Sequence, residues 1–389
     1  RAVAALPTLW RKHKDSGEPG GFAAVPSSAG VQPWPDRLDR GSTAMAEAHH
    51  RVLDHPGDIE QADAFVRDRL LGARNCLIDL QRLCSYGHFR LSEHMGQTRE
   101  LLSGLGEAHS AYVTTLLLQR AGVNARFVDL SGWQDQGEVG LDDRILQAME
   151  GIDPATEMPI VTGYAQCVEG LMREYERGYS EVTFSRLAAL TGAREAIIHK
   201  EFHLSSADPK LVGADRVRKL GHTNYDVADQ LSNMGMEAIH PRAAKGLRQN
   251  EIPLRVKNTF EPEHSGTLIT GNYISAIPCV EIIAGRRHLY AIELFDQDMV
   301  GKLEEYEKVL IDIFRRFRAT CVTKDIHANT VTHYLGCNLK TVKRILKVIK
   351  EKLPDSESDH RKVSLVSAIG SDMQVPGILA KAVSTLADN

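Results

Sequence analysis

The sequence predicts an α/β protein: a three-layer αβα sandwich with a mostly parallel central sheet, followed by an α+β region of ferredoxin-like pattern. Three observations carry this. Between residues 125 and 256 short apolar runs alternate with helical patterns, as strands joined by crossover helices do. After about residue 270 the order becomes strand, helix, strand, strand, helix, strand, the split βαβ arrangement. A chain of 389 residues is also too long for one core, which predicts two or three domains.

The elements follow in order. Residues 16–40 contain GEPGGF, PSSAG and QPWPD, whose Gly and Pro predict loop. From about 44 to 119 the spacing is helical, with Cys76, Leu77, Leu80, Leu83 and Cys84 at three- and four-residue intervals. ARFVDL (125–130), MPIVTGY (158–164), EAIIH (195–199) and EIPLRV (251–256) read as strands. YSEVTFSRLAALTGA and NYDVADQLSNMGMEAI lie between them as helices, the first closed by a Thr-Gly C-cap. Beyond 270, LYAIEL, ATCVT, TVTHYL and KVSLVSAI are strands, and KLEEYEKVLIDIFRRF and LKTVKRILKVIKEKL are amphipathic helices. A second such unit opens at VPGILAKAVSTLAD without its remaining strands. The domains expected are therefore 1–270 and 271–389, the second incomplete at its carboxyl end.

Composition narrows the function classes. A hydrophobic share of 42%, a charged share of 25% and a net charge of −4 are those of an ordinary globular protein, with no global pull toward nucleic acid or acidic membrane. No apolar run reaches the roughly 18–20 residues of a spanning helix, and RAVAALPTLWRKHK has its charge after its apolar part, the reverse of a secretory signal. The six scattered cysteines predict reduced thiols in a cytoplasmic protein. Helix 339–353 carries Lys340, Lys343, Arg344, Lys347 and Lys350 opposite its apolar face; without interleaved aromatics this is a solvated face.

Two motifs invite chemistry. His199 and His203 stand four apart around Glu201, as in a helical metal site. AII before them favours a strand, and LSSADP after them forms a loop; on a strand the imidazoles would be roughly 13 Å apart, too far for one metal. No metal site is expected, and the segment reads instead as a strand running into a polar loop at the sheet's carboxyl edge, where open α/β folds bind ligands. In REYERGYSEVTF, Arg177, Ser180 and Glu181 cluster at a helix N-terminus, whose amides favour anions and where an Arg grips a carboxylate. A plain N-cap by Ser180 with a solvated Arg177 explains the same residues, and the local sequence leaves both readings open.

Taken together these segments resemble the aspartate kinase family. Arg177-Gly178-Tyr179-Ser180-Glu181 is similar to the family's Arg-Gly-Gly-Ser-Asp, and SADPK within HKEFHLSSADPK (199–210) to its nucleotide loop. MGMEAIHPRAAKGLRQNEIPLRVKNTFEPEHSGTLI (234–269) resembles a long family block running from Gly-Ala-Lys-Val-Leu-His-Pro-Arg to Gly-Thr. The likeness covers roughly residues 80–389. YGHFRLSEH, HKEFHLSSADP and TNYDVADQLSNMGMEAIHPRAA are most similar to the branch that accompanies ectoine synthesis.

The resemblance implies an amino acid kinase fold followed by ACT domains, with phosphoryl transfer from MgATP to the side-chain carboxylate of L-aspartate. ATP and Mg²⁺ are the implied cofactors, and a homodimer through the ACT domains the implied assembly. Arg177 and Ser180 would hold the substrate carboxylate, with Glu181 near the reacting centre. The substrate ammonium would fall to His88 or Glu93, since GHFRLSE is taken as the counterpart of the family's Gly-Glu-Arg-Leu-Ser. His199, Lys200, Ser205, Lys210, Lys257 and Asn258 would lie on the nucleotide side, and Asp298, Met299 and Gly301 at the effector edge of the ACT unit. The family's Lys-x-Gly-Gly-Thr/Ser phosphate cradle occurs nowhere in the 389 residues. That absence leads to the expectation of a truncated amino end and little kinase activity, with a regulatory, amino-acid-binding role as the alternative.

Overall fold

The computed structural model describes residues 34–87, 92–135, 137–174, 178–236 and 239–388. They fall into two compact units, divided between Gly192 and Ala193. The change of sheet type, by contrast, falls between Thr270 and Ile282.

The first unit opens with three long helices, α1 (Trp34–Val52), α2 (Pro56–Cys84) and α3 (Ser92–Arg120). Loop was expected through residue 40, but α1 starts at Trp34, with Pro35 in the first turn, where its fixed φ suits a helix. The apolar stripe of α2 runs Ala62, Val66, Leu70 and Ala73, and packs against Leu102 and Leu105 of α3. Leu83, near the end of α2, is exposed, so the regular spacing there marks the helix but not its core. Strands β1 (Ala125–Val128) and β2 (Met158–Val161) pair in parallel, with helix α4 (Leu141–Met149) in the crossover between them. Helix α5 (Tyr179–Leu190) closes the unit, and Gly192 follows its Thr191 C-cap at φ 63°, as the Thr-Gly pair predicts.

The second unit holds two sheets. In the first, β3 (Ala196–Lys200), β5 (Leu254–Asn258), β6 (Thr267–Thr270) and β4 (His222–Asn224) lie in that order, with helices α6 (Tyr225–Asn233) and α7 (Pro241–Gln249) between β4 and β5 in the chain. β3 runs parallel to β5 and β4 to β6, but β5 and β6 are antiparallel. Only residues 259–266 join those two, too few for a crossover, so the chain must double back.

The second sheet is wholly antiparallel. It has the order β10 (Glu357–Ile369), β7 (Ile282–Phe295), β9 (Thr330–Gly336), β8 (Thr320–Ile326), with α8 (Leu303–Arg316) and α9 (Leu339–Lys352) contributing to its core. That is the ferredoxin-like arrangement the element order predicted. Val342, Ile345 and Ile349 of α9 are buried, while its lysines and Arg344 face solvent. Helix α10 (Ile378–Ala387) follows. All six cysteines are free thiols. No helix among the described residues is long and apolar enough to cross a membrane.

Candidate active site

In the first unit the chemistry gathers where α5 begins. Its N-cap is Gly178, in the left-handed region at φ 81°, and no side chain caps the helix. An L side chain is strained at that angle, so glycine is the residue that lets the chain turn into α5 here. Ser180, the second helical residue, is therefore not the cap; its hydroxyl donates to Glu107 Oε1 of α3 at 2.7 Å. Glu107 Oε2 is shut off from solvent and has no hydrogen-bond partner among the described residues. It lies over Gly163, where a Cβ would stand 2.6 Å from that oxygen and 3.1 Å from Ser180 Cβ. Tyr179 packs its ring edge-on to Tyr164 at 6.1 Å between centroids. Burial, and then the Glu107 carboxylate beside it, push the Tyr179 phenol up to about 12.

A carboxylate oxygen held out of water without a donor is costly, and a cation that reaches it recovers much of that cost. The arrangement thus offers three things within one small space: an unmatched buried anion, a hydroxyl, and uncapped helix amides that favour an anion. These are complementary to a zwitterion carrying both an ammonium and a carboxylate. Glu181 is the third residue of α5 and half-buried. Arg177, His88 and the side chain of Glu93 lie outside the described residues.

Glu107 escaped the sequence reading. The signal was present: Gly106-Glu107-Ala108-His109-Ser110 keeps the Gly, Glu and Ser of Gly-Glu-Arg-Leu-Ser at their spacing. GHFRLSE drew attention because it keeps the adjacent Leu-Ser, although it lacks the glutamate, which is the residue with the chemistry.

In the second unit the nucleotide-side candidates collect at the carboxyl ends of β3 and β5. The parallel register sets His199 beside Lys257 and Lys200 beside Asn258. Thr259 N–H then donates to Lys200 O at 2.9 Å, extending the pairing past the strand ends. His199 is exposed. Lys257 Nζ donates to Pro262 O at 2.9 Å, and buried Asn258 accepts from Phe260 N at 3.0 Å through Oδ1. Ser205 is buried, with its hydroxyl donating to Ala207 O at 2.8 Å, and it bridges Lys219 in antiparallel fashion. Asp208 caps a single helical turn, Pro209–Val212, by accepting from Lys210 N at 2.9 Å; the Lys210 side chain is exposed.

His203 does not pair with His199. It is buried, faces Glu261 Oε2 at 3.1 Å and lies against the tilted ring of His264 at 4.2 Å between centroids. Lys219, and then His203, hold the Glu261 carboxyl below the usual range. No group of three or more His, Cys, Asp or Glu residues among the described residues has a metal-holding arrangement.

At the expected effector edge, Asp298 and Met299 form a 3₁₀ turn, Gln297–Met299, capped by Asp296, and Gly301 is exposed at φ 78°. Met299 is fully buried in the core of the antiparallel sheet.

Comparison with known proteins shows the family and the fold. A family model described as the amino acid kinase family matches residues 41–258. An aspartate kinase of Stutzerimonas stutzeri, Ask_Ect, is 47% identical over 387 residues, spanning 100% of this chain and 81% of its own length. The chain belongs to the aspartate kinase family. A more distant family member, the aspartokinase of Schizosaccharomyces pombe, is 29% identical over 197 residues, 48% of this chain and 37% of its own. Among solved structures, the aspartate kinase of Clostridium acetobutylicum and Escherichia coli aspartokinase III, the latter in complex with aspartate and ADP, each align with a TM-score of 0.65 at 18% identity. They cover 92% of this chain and 77% and 80% of their own, a likeness of fold. The amino acid kinase fold with a C-terminal ferredoxin-like sheet, expected from the sequence, is thereby shown.

Proposed function

We propose that the chain transfers the terminal phosphoryl group of ATP to the side-chain carboxylate of L-aspartate, giving 4-phospho-L-aspartate. One observation carries the reading: Glu107 Oε2, buried and without a donor among the described residues, beside Ser180 at the start of α5. In this reading Glu107 takes the substrate ammonium, in place of the His88 or Glu93 expected from the sequence. Ser180, Arg177 and the amides of α5 take the α-carboxylate, and Glu181 stands near the reacting centre. The substrate's own carboxylate attacks phosphorus and needs no base, so the protein's work is to bind, orient and neutralise.

On the nucleotide side His199, Lys200, Ser205, Lys210, Lys257 and Asn258 are the proposed contacts. Lys257 and Lys210 are the cations of this set best placed to reach phosphates: one donates to a backbone carbonyl, and the other is exposed. Mg²⁺ enters with the nucleotide as part of the substrate, held chiefly by phosphate oxygens and water. The proposed domains are a kinase domain to residue 270 and an ACT region from 271, with Asp298 and Gly301 at an effector edge and pairing through the ACT region. A cytoplasmic place and a role in ectoine synthesis belong to the same proposal.

The impaired, purely regulatory reading is not favoured, because the 47% identity to an aspartate kinase runs along the whole chain. The test is ADP release with MgATP and L-aspartate, alongside calorimetric titration of L-aspartate. L-aspartate-dependent turnover is expected. No turnover together with no aspartate binding would overturn the proposal.

A further inference from the structure

Glu281 is the residue just before β7, and it is buried. Its Oε1 accepts from the backbone N–H of Ser371 at 3.0 Å and from the Ser371 hydroxyl, and its Oε2 accepts from Thr223 Oγ1 at 3.4 Å. These are neutral donors, and a carboxylate kept out of water on neutral donors alone is an expensive choice. The three residues come from separate stretches: Thr223 from β4, Ser371 from just after β10, and Glu281 from the entry to β7. Glu281 N–H also donates to Ile369 O at 3.0 Å, continuing the β7–β10 pairing backward.

Two residues on, Ile283 N–H donates to Ser206 O at 2.8 Å. Ser206 sits in the loop that carries Ser205 and Lys210, and that loop is folded back on itself. Ser206 N–H donates to Arg218 O at 2.8 Å, Arg218 N–H to Ser206 Oγ at 2.9 Å, and Leu220 N–H to Leu204 O at 2.9 Å. The loop then runs straight into β4, where Thr223 lies. One short stretch of the C-terminal sheet, 281–283, therefore grips this loop twice, at Ser206 and at its exit strand.

We propose that Glu281 is a positioning residue for nucleotide binding: it fixes the 201–220 loop from the C-terminal sheet, so that the placement of Ser205 and Lys210 depends on where β7 sits. Glu281 itself touches no substrate. The proposal rests on the assignment of the 199–210 segment to the nucleotide, and it adds a residue that no motif of the sequence singles out.

The test uses the full chain with Glu281→Gln, and with Thr223→Val as a milder variant that removes only the outer bond. Backbone hydrogen exchange over 201–220 and equilibrium binding of MgADP and of L-aspartate are measured on each. Expected are faster exchange confined to that loop and its β7 partner and about tenfold weaker MgADP binding, the loss of one charge-assisted bond. Aspartate affinity should stay within about twofold. A lesion of folding alone would weaken both ligands together, and that result overturns the proposal, as does unchanged exchange with unchanged MgADP affinity. If the unaltered chain fails to bind MgADP, the nucleotide assignment itself falls and takes this role with it; that failure shows in the unaltered chain, before any variant is made.

Discussion

A methyl group added at Gly163 would meet Glu107 Oε2 at 2.6 Å, closer than packed carbons come, and Ser180 Cβ at a tight 3.1 Å. Gly163→Ala must therefore displace the carboxylate proposed to take the substrate ammonium. The expected result is a rise in the KM for L-aspartate of tenfold or more, for a loss in stability of about 1–3 kcal/mol from overpacking. Glu107→Gln is the sharper change. It keeps an acceptor for Ser180 and removes the charge, so calorimetry should show aspartate binding weakened about 100-fold, the worth of a buried charge-assisted pair. MgADP affinity should be unmoved. At this scale the sequence was only partly legible. The turn Arg177-Gly178-Tyr179-Ser180 was readable as a helix start, but the same letters fit a simple cap. What separates the readings is that Gly178 takes the cap position and Ser180 turns to a glutamate 73 residues earlier. No local pattern carries a partner at that range.

Among elements, the α1–α2–α3 layer is fastened by polar groups that periodicity does not reveal. Arg69 of α2 is buried, pairs with Asp129 at the end of β1, donates to Ser131 Oγ at 2.9 Å, and lies over the rings of Phe65 and Trp133. It ties the helical layer to the first strand. Arg69→Ala would strand Asp129 and empty a stacked site, and should cost about 3 kcal/mol, read as a fall in the denaturation midpoint. A second fastening is the chain Asp63–His49–His109 across all three helices. His49 Nδ1 is 2.6 Å from Asp63 Oδ1, and His49 Nε2 is 2.6 Å from His109 Nε2. Burial, and then the charge of His49, lower His109 to about 4. The folded state thus holds fewer protons at this ring than the unfolded state, whose imidazole titrates near 6.5. Stability must therefore fall as the pH drops from about 6.5 to about 4, and is unaffected by this ring above that window. Partial solvent screening limits the loss to about 2 kcal/mol. Denaturant titrations across that range should show the slope, and His109→Gln should flatten it. The helices themselves were legible from their spacing, while β6 running against β5 was not, because strand direction depends on the length of a connection.

For the whole molecule, the two kinds of sheet were readable because each imposes its own rhythm on the chain. The long helix-strand alternation and the later strand-helix-strand-strand-helix-strand order survive without any alignment. The compact division at residue 192 was not readable, since it depends on which strands share hydrogen bonds and not on composition. β10 lies along nearly the whole of β7, from Glu357 opposite Phe295 to Ile369 opposite Ile282. A chain ended at Leu353 would leave β7 as a long bare edge and Glu281 without Ser371. Such a chain should associate through that edge, and light scattering should find large species where the full chain gives a single discrete mass.

That long reach has a further consequence during synthesis. Ser371 stands 90 residues after Glu281, which at about 5–20 residues per second is some 5–20 seconds of translation. For that interval the loop beyond β3 lacks its far anchor on the ribosome, while the segment from α1 to Gly192 has already been released whole. The half proposed to bind the amino acid is thus born ahead of the half proposed to bind the nucleotide, and slow codons between positions 281 and 371 would lengthen the wait for that anchor.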